Sequence, residues 1–162
     1  REQGATILAC ESRAERRAEL EAMGIRTWGP EGKLAMLREP IDALVVNAAG
    51  GSLDRATVDA CVANARLSVI CGSENLAMPE PSVAALLQAA HKVSCPTELG
   101  GMMGYLTAVE EYLARIEGVP FDIATLLEAS KKLEGAAFAA TARIRAGGFA
   151  ESFEEAVTAI YG

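Results

Sequence analysis

Short apolar runs alternate with amphipathic segments through the first hundred residues. Five runs have the length of β-strands: residues 5–10, 25–28, 42–47, 66–72 and 92–96. The segments between them predict helices at residues 12–24, 31–39, 54–65 and 80–91, with Ser12 and Asp54 as N-caps. Because strands alternate with helices, the pattern predicts βα units and a parallel sheet. The continuous apolar run at 42–47 predicts a strand that is buried on both faces.

After Gly100 the pattern is helical throughout. Three helices are predicted at residues 102–118, 122–148 and 152–160. Asp122 is the predicted N-cap of the second, and Ser152 with Glu155 has the spacing of a capping box at the third. We therefore predict two units, an α/β domain over residues 1–118 and a C-terminal helical segment over 119–162 that packs on it.

Composition and charge narrow the classes of function. The chain has 162 residues, a net charge of −7 and no cluster of Lys or Arg, which argues against a nucleic-acid partner. No apolar run approaches the roughly 20 residues that span a bilayer, and no apolar signal segment opens the sequence, so we expect a cytoplasmic protein with no membrane partner. The four cysteines lack metal-ligand spacing and are expected to be reduced and buried, with no metal site.

The stretch VVNAAGG at residues 45–51 runs from a strand into a small, glycine-rich turn. It resembles the Asn-Asn-Ala-Gly stretch of short-chain dehydrogenases, but the Tyr-x-x-x-Lys pair of that family is absent. The residues four positions after Tyr105 and Tyr112 are Val109 and Ile116. A plain helix-entry turn is a second interpretation, and a different dinucleotide enzyme is a third.

Segment 42–78 favours the third interpretation. It resembles the nucleotide-binding domain of the glutamate/leucine/phenylalanine/valine dehydrogenase family, in which an A-L-G-A loop follows one strand and I-A-G-S-A-N-N ends the next. Segment 2–12 resembles the second strand of that domain with its ribose-binding acid, and 95–112 resembles its A-P-D-x-x-x-N-x-G-G segment. Segment 148–160 is similar to its closing helix, so the resemblance extends over nearly the whole chain.

The resemblance implies the C-terminal NAD-binding domain of such an amino acid dehydrogenase, truncated at its N-terminus. The expected fold is a Rossmann-like doubly wound parallel sheet, without its first strand and GxGxxG fingerprint, followed by the α-helical tail. NAD is the implied cofactor and NADP a less favoured one. The implied cofactor-binding residues are Glu11, Ser12, Arg13, Asn47, Ala48, Ala49, Gly50, Glu74, Asn75 and Glu98.

The resemblance implies roles for several of these residues. Glu11 would bind ribose hydroxyls and repel the 2′-phosphate of NADP, although Arg13 weakens that preference. Small residues at 48–51 would let the backbone approach the adenosine side of NAD. Asn75 would contact the nicotinamide ribose or carboxamide, because an uncharged amide supplies both a donor and an acceptor. The second interpretation of Glu11 is a charge at the helix N-terminus or part of its cap, and that of Asn75 is a turn residue or helix cap.

Glu98 departs from the family pattern, which has Asn before the paired glycines. A carboxylate there would stabilise the oxidised, cationic nicotinamide and change how a carboxylate substrate binds. Gly100, Gly101 and Gly104 have a second interpretation, close packing of helices. His91, the only histidine, lies at a predicted helix end, where a helix-dipole contact is favoured over a catalytic role.

The implied reaction is oxidative deamination of an L-amino acid to a 2-oxo acid and ammonia. The family's catalytic lysine and aspartate belong to a preceding domain, so no catalytic residue is assigned here and the chain alone is expected to be inactive. That domain would also bind the small-molecule amino acid substrate, and the full-length protein is expected to be a homo-oligomer. Two alternatives remain: a non-catalytic dinucleotide-binding or sensing domain, and a relative that acts on a modified amino acid in specialised metabolism.

Overall fold

A computed structural model of the chain describes residues 4–162, apart from the side chain of Pro81. Residues 1–3 lie outside this range. They include the first two residues of segment 2–12, which was compared above with the family's second strand. Strands and helices alternate in the order β1 (Leu8–Cys10), α1 (Ala14–Ala22), β2 (Arg26–Trp28), α2 (Lys33–Met36), β3 (Ala43–Val46), α3 (Arg55–Ala63), β4 (Val69–Gly72), α4 (Ala84–Ala89), β5 (Val93–Ser94), α5 (Thr97–Gly100), α6 (Met102–Glu117), α7 (Ile123–Ala146) and α8 (Phe153–Tyr161). Short 3-10 turns precede α2 and α4.

The strands pair in parallel, which confirms the predicted α/β fold with a parallel sheet. They form two groups, β1 with β2 and β3 with β4 and β5. Leu8 lies opposite Arg26 in the first group, and Ala43 lies opposite Val69 in the second. The register of β4 and β5 places Val69 opposite Val93.

One hydrophobic core lies between the second group of strands and helices α2 to α4. Its buried residues include Leu44, Val46 and Ile70 from the strands, packed with side chains of the helices such as Val58 and Leu87. Leu8 of β1 and Trp28 of β2 pack partly against the same core. The two groups of strands therefore share one apolar interior.

A second core covers the opposite face of β4 and β5. It is built from Val93, with Val69 packed against it, and from four residues of α7 and α8: Ala140, Ile144, Phe153 and Ala156. The helical tail thus packs directly on the strands. Helix α6 ends at Glu117 and is followed by Gly118, whose φ is +66°. The proposed division into units at residue 118 stays a prediction.

The expectation of burial on both faces is wrong for β3. Leu44 and Val46 are buried, whereas Ala43 and Val45 are exposed, Val45 with 59% of its surface accessible. The helices of the tail cover β4 and β5 and leave this face of β3 open. Burial of β3 therefore alternates along the strand, even though its sequence is continuously apolar.

The predicted caps are confirmed at three helices. Asp54 accepts a hydrogen bond from the Thr57 backbone N–H, Asp122 accepts from the N–H groups of Ala124 and Thr125, and Ser152 forms the capping box with Glu155. Ser12 is not a cap, because α1 begins at Ala14 and Arg13 occupies the N-cap position, and the Ser12 hydroxyl donates to Glu11 instead. Helix α5 was not predicted, since four residues carry no periodic signal.

The cysteines are free but differ in burial. Cys61 is buried and Cys71 and Cys95 are half-buried, whereas Cys10 is exposed, contrary to expectation, because β1 ends at the surface. Across residues 4–162, none of the helices is both long enough and apolar enough to cross a membrane.

Candidate functional site

The carboxyl ends of β3, β4 and β5 lie at one edge because the strands are parallel. The segments that follow them there, residues 47–51, 73–75 and 96–98, contain most of the predicted cofactor-binding residues. In open parallel sheets, this edge is where ligands bind. The site is therefore assembled from loops that the strands hold side by side.

The loop after β3, residues 47–53, is tied to the segment after β4. The Asn47 side-chain oxygen accepts hydrogen bonds from the Ser73 backbone N–H at 2.9 Å and from its hydroxyl at 3.0 Å. Further along, Gly51 N–H donates to Leu76 C=O at 3.0 Å and Leu53 N–H donates to Ala77 C=O at 2.8 Å. The loop after β3 and the segment after β4 are therefore held together by hydrogen bonds along their length.

Two glycines shape the exposed tip of this loop. Gly50 has a φ of +126° and Gly51 a φ of +71°, values that side-chain-bearing residues rarely adopt. Ala48 and Ala49 precede them and are exposed, so the backbone here is open to close approach by a ligand. A Cβ on Gly50 would lie 3.5 Å from the Asn75 carbonyl oxygen, which places the exposed Asn75 beside the loop.

Glu74 points into the protein beneath the same loop. Its side chain is buried, with 1% of the residue exposed. Its two carboxylate oxygens accept hydrogen bonds from the backbone N–H groups of Ala48 at 3.1 Å and Ser52 at 2.8 Å. The carboxylate therefore contacts the loop itself, and direct binding of a cofactor by Glu74 stays a prediction.

Lys33 of α2 contacts the same loop from the other side and was not predicted. Its ammonium group donates to Ser52 C=O at 3.2 Å and lies 3.6 Å from the Asp54 carboxylate. Burial raises the pKa of the Cys10 thiol, and the positive charge of Lys33 opposes that rise. Lys33 thus contacts both the loop after β3, at Ser52, and the N-cap of α3, Asp54.

Glu11, Ser12 and Arg13 form a turn at the end of β1. One Glu11 carboxylate oxygen accepts from the Arg13 backbone N–H at 2.9 Å and from the Ser12 hydroxyl at 3.3 Å. That backbone hydrogen bond and the nearby Arg13 charge lower the pKa of Glu11, so its carboxylate is ionised at neutral pH. Arg17 donates to the carbonyls of Glu11 and Ser12. Within residues 4–162, no hydrogen bond joins this turn to the loops after β3 and β4.

Glu98 is exposed in the first turn of α5, at the rim of a cavity of about 470 Å³. The cavity lies between the ends of β4 and β5 and the turn between α7 and α8, and its walls include Cys71, Cys95 and Phe149. Burial, and secondarily the neighbouring Cys71, raises the pKa of Cys95 to about 11, so this thiol is protonated at neutral pH. Cys71 and Cys95 are both half-buried in the wall of this cavity.

Three glycines differ in what surrounds them: Gly72 at the end of β4, Gly100 at the end of α5 and Gly104 within α6. A Cβ on Gly100 would lie 1.8 Å from the Gly72 carbonyl oxygen, and one on Gly72 would lie 1.9 Å from the Val46 carbonyl oxygen. Around Gly104, in contrast, there is open space. Close packing of a helix on the sheet, the second interpretation of these glycines, therefore holds at Gly100.

His91 is remote from these hydrogen bonds. It follows α4 with a φ of +56° and stacks on Phe149, with ring centroids 5.0 Å apart. Among the described residues, no group of three or more His, Cys, Asp or Glu side chains is arranged to hold a metal ion.

Comparison with known proteins identifies the fold. No family model and no curated protein matches the sequence. Among solved structures, the chain is similar to L-tryptophan dehydrogenase from Nostoc punctiforme, with a TM-score of 0.72 and 14% sequence identity. The match covers 97% of this chain and 44% of that protein, so the chain spans less than half the length of the solved structure. The fold is a Rossmann-type α/β fold like that of a dehydrogenase.

Proposed function

We propose that this chain is the NAD-binding part of an amino acid dehydrogenase-like oxidoreductase. The observation that carries the proposal is the geometry of residues 47–51, the first part of the loop after β3. This segment lies at the carboxyl edge of a parallel sheet, has two left-handed glycines at its tip and is fixed by hydrogen bonds to the segment after β4. A loop of small residues that is held by hydrogen bonds and exposes its backbone to a ligand is suited to bind a dinucleotide closely.

The pairing of the strands supports the same proposal. In the order 3-2-1-4-5-6 of the doubly wound dinucleotide fold, removal of strand 1 leaves two separate groups, 3-2 and 4-5-6. The chain has this arrangement, with β2 and β1 in one group and β3, β4 and β5 in the other. The proposal thus places a first strand and its glycine fingerprint in a preceding part of the full-length protein.

The proposed reaction is oxidative deamination of an L-amino acid. A hydride leaves the substrate Cα for the nicotinamide of NAD, and water hydrolyses the resulting imine to a 2-oxo acid and ammonia. In this proposal Asn75 and the loop at 47–51 hold the cofactor, and a preceding domain supplies the acid–base residues and the substrate pocket. The proposal therefore assigns binding and orientation of NAD to the described residues and expects no turnover from this chain alone.

Cofactor preference is proposed to depend on Glu11. Its ionised carboxylate would bind ribose hydroxyls and repel a 2′-phosphate. The Arg13 guanidinium beside it, with 71% of the side chain exposed, would attract that phosphate. We predict that Glu11→Ala weakens binding of NAD and strengthens binding of NADP, because the guanidinium then has no competing carboxylate. Calorimetric titration of both cofactors measures the ratio. An unchanged ratio would show that Glu11 does not select the cofactor.

The proposal is tested in two steps. The protein extended upstream is titrated with NAD by calorimetry, and it is then assayed for NADH formation with a panel of L-amino acids, alongside Glu98→Asn. Turnover by the unmodified protein establishes the dehydrogenase and its substrate. Turnover only after Glu98→Asn indicates a different natural substrate, such as a modified amino acid. Absence of both binding and turnover contradicts the proposal.

Glu98 favours one alternative function. Its exposed carboxylate stands where the family has an amide, so a domain that binds the dinucleotide without catalysis is the second candidate. NAD binding without turnover by either form of the extended protein would support it. Homo-oligomerisation of the full-length protein, a cytoplasmic location and the absence of nucleic-acid or membrane partners stay predictions.

A further inference from the structure

We propose that Glu74 is the positioning residue of the dinucleotide loop: its buried carboxylate holds residues 48–52 in the conformation that receives NAD. The role is exerted through the loop backbone, and Glu74 need not touch the cofactor. This inference rests on the proposed function and adds to it the residue that keeps the binding loop in shape.

The chemistry of the carboxylate fits the two groups that it binds. An ionised carboxylate only accepts hydrogen bonds, and each of its oxygens meets one backbone N–H, that of Ala48 at 3.1 Å and that of Ser52 at 2.8 Å. These two residues bracket Gly50 and Gly51, whose left-handed conformations set the path of the loop. Glu74 thus closes the loop at its base while the tip stays exposed.

The Ser52 peptide is held on both sides. Its N–H donates to Glu74, and its C=O accepts from the Lys33 ammonium group at 3.2 Å. Glu74 is itself fixed, because its own backbone N–H donates to Val46 C=O at 3.2 Å, at the end of β3. Since a charged acceptor makes stronger hydrogen bonds than a neutral one, the loop depends on the charge of this side chain.

Glu74→Gln is the sharpest test, because it keeps the shape and removes one acceptor. Glutamine has a single acceptor oxygen, and its NH₂ group would face a backbone N–H that also donates. Glu74→Asp keeps the charge but is one methylene shorter, so it reaches only one of the two donors and should have an intermediate effect. Glu80→Gln removes the same charge from an exposed position nearby and is the matched control.

Two measurements are made at a temperature where each variant is folded: hydrogen exchange on the 162-residue chain, and calorimetry on the protein extended upstream, which supplies the proposed glycine fingerprint. Amide hydrogen exchange by NMR reports on Ala48 and Ser52, with the Thr57 amide, which donates to Asp54, as an internal reference. Calorimetry reports the affinity for NAD. In Glu74→Gln we expect exchange at Ala48 or Ser52 to accelerate, and the affinity for NAD to fall, by about tenfold each, because a charge-assisted hydrogen bond is lost. Exchange at Thr57 and all properties of Glu80→Gln should not change.

The outcomes separate this inference from the function on which it rests. If the unmodified extended protein binds NAD and its Glu74→Gln variant binds it equally well, Glu74 is only structural and the inference is wrong, while the proposed function stands. If exchange at Ala48 and Ser52 is the same with and without Glu74→Gln, the tether itself is absent. If the unmodified extended protein does not bind NAD although the loop amides are protected, the proposed function fails and the role of Glu74 in cofactor binding fails with it.

Discussion

At the scale of single residues, the contact between α5 and the end of β4 allows no side chain at Gly100. A Cβ there would lie 1.8 Å from the Gly72 carbonyl oxygen, and backbone on both sides must then move. We predict that Gly100→Ala lowers the free energy of unfolding by about 1–3 kcal/mol, the usual cost of overpacking. Urea denaturation monitored by circular dichroism measures the change.

Gly104→Ala is the matched control for that prediction. Gly104 lies within α6 with open space around it, so alanine should be tolerated and should stabilise the helix by about 0.5–1 kcal/mol. If Gly100→Ala were also neutral, the close approach of α5 to β4 would be wrong. A loss of stability in both variants would point to strain throughout the start of α6.

Some residues of the site can be predicted from the sequence and others cannot. The ends of apolar runs locate Asn47, Ala48, Gly50 and Asn75, because strand ends are visible in the hydrophobic pattern. The orientation of Glu74 is not visible, since an acidic residue in a loop is ordinarily solvated and its burial depends on two N–H groups from a loop far away in the sequence. Lys33 is missed for the same reason, because its partners Ser52 and Asp54 are distant along the chain.

At the scale of elements, the N-cap residue Asp54 makes the stability of the start of α3 depend on pH. The hydrogen bond from the Thr57 backbone N–H, and secondarily the Lys33 charge, lower the pKa of Asp54, so the folded state binds a proton less readily than the unfolded chain. This contribution to stability is present above the ordinary carboxyl pKa, about 3.9, and is lost as pH falls through the lower folded value. We predict that Asp54→Ala costs about 1 kcal/mol at pH 7 and less near pH 3.

Chemical denaturation at the two pH values measures this cost. Asp59→Ala serves as the control, because Asp59 lies within α3, where it pairs with Arg55 of the same helix. An equal cost of Asp54→Ala at neutral and acidic pH would show that the charge of the cap does not contribute.

The two faces of β3 give a second prediction at this scale. Leu44 is buried against α3 and α4, whereas its neighbour Val45 has 59% of its surface exposed. We predict that Leu44→Ala costs about 2–5 kcal/mol of unfolding free energy, and that Val45→Ala costs less than about 0.5 kcal/mol. Thermal and urea denaturation of the pair decide which face is core. Similar costs would mean that something covers Val45 in solution.

The elements show what a single sequence determines. Strands and long helices are predictable from apolar periodicity, and the caps at Asp54, Asp122 and Ser152 follow from local hydrogen bonding within a few residues. The exposed face of β3 is not predictable in this way. A run such as Ala43 to Val46 is equally apolar on both faces, and which face is covered depends on where α7 and α8 pack.

At the scale of the whole molecule, the parallel fold follows from the alternation of elements, but the separation into two groups of strands does not. Hydrophobic pattern carries no information on which strands are neighbours, because pairing is set by crossover geometry and by the complete set of strands. The likeness to a longer dehydrogenase structure is confined to the fold. It therefore leaves the chemistry to be decided by the loops at the sheet edge and by direct assay.

The outer surface of α6 carries the last prediction. Tyr105, Tyr112 and Ile116 are spaced so that they share one face of the helix, and each is more than half exposed. Ala114, the one residue of α6 that is buried, lies on the opposite face. Because an apolar stripe of this kind marks an interaction surface, we predict that the isolated chain self-associates at high concentration.

Ile116→Glu should abolish that association, since it places a charge at the C-terminal end of the stripe, and it should leave the melting temperature of the monomer unchanged because Ile116 is 61% exposed. Ala18→Glu adds the same charge at an exposed position of α1 and is the control. Sedimentation velocity over a range of concentrations measures the association. A monomer at all concentrations for the unmodified chain would contradict the prediction, and association that survives Ile116→Glu would place the contact elsewhere, with the exposed face of β3 as the next surface to test.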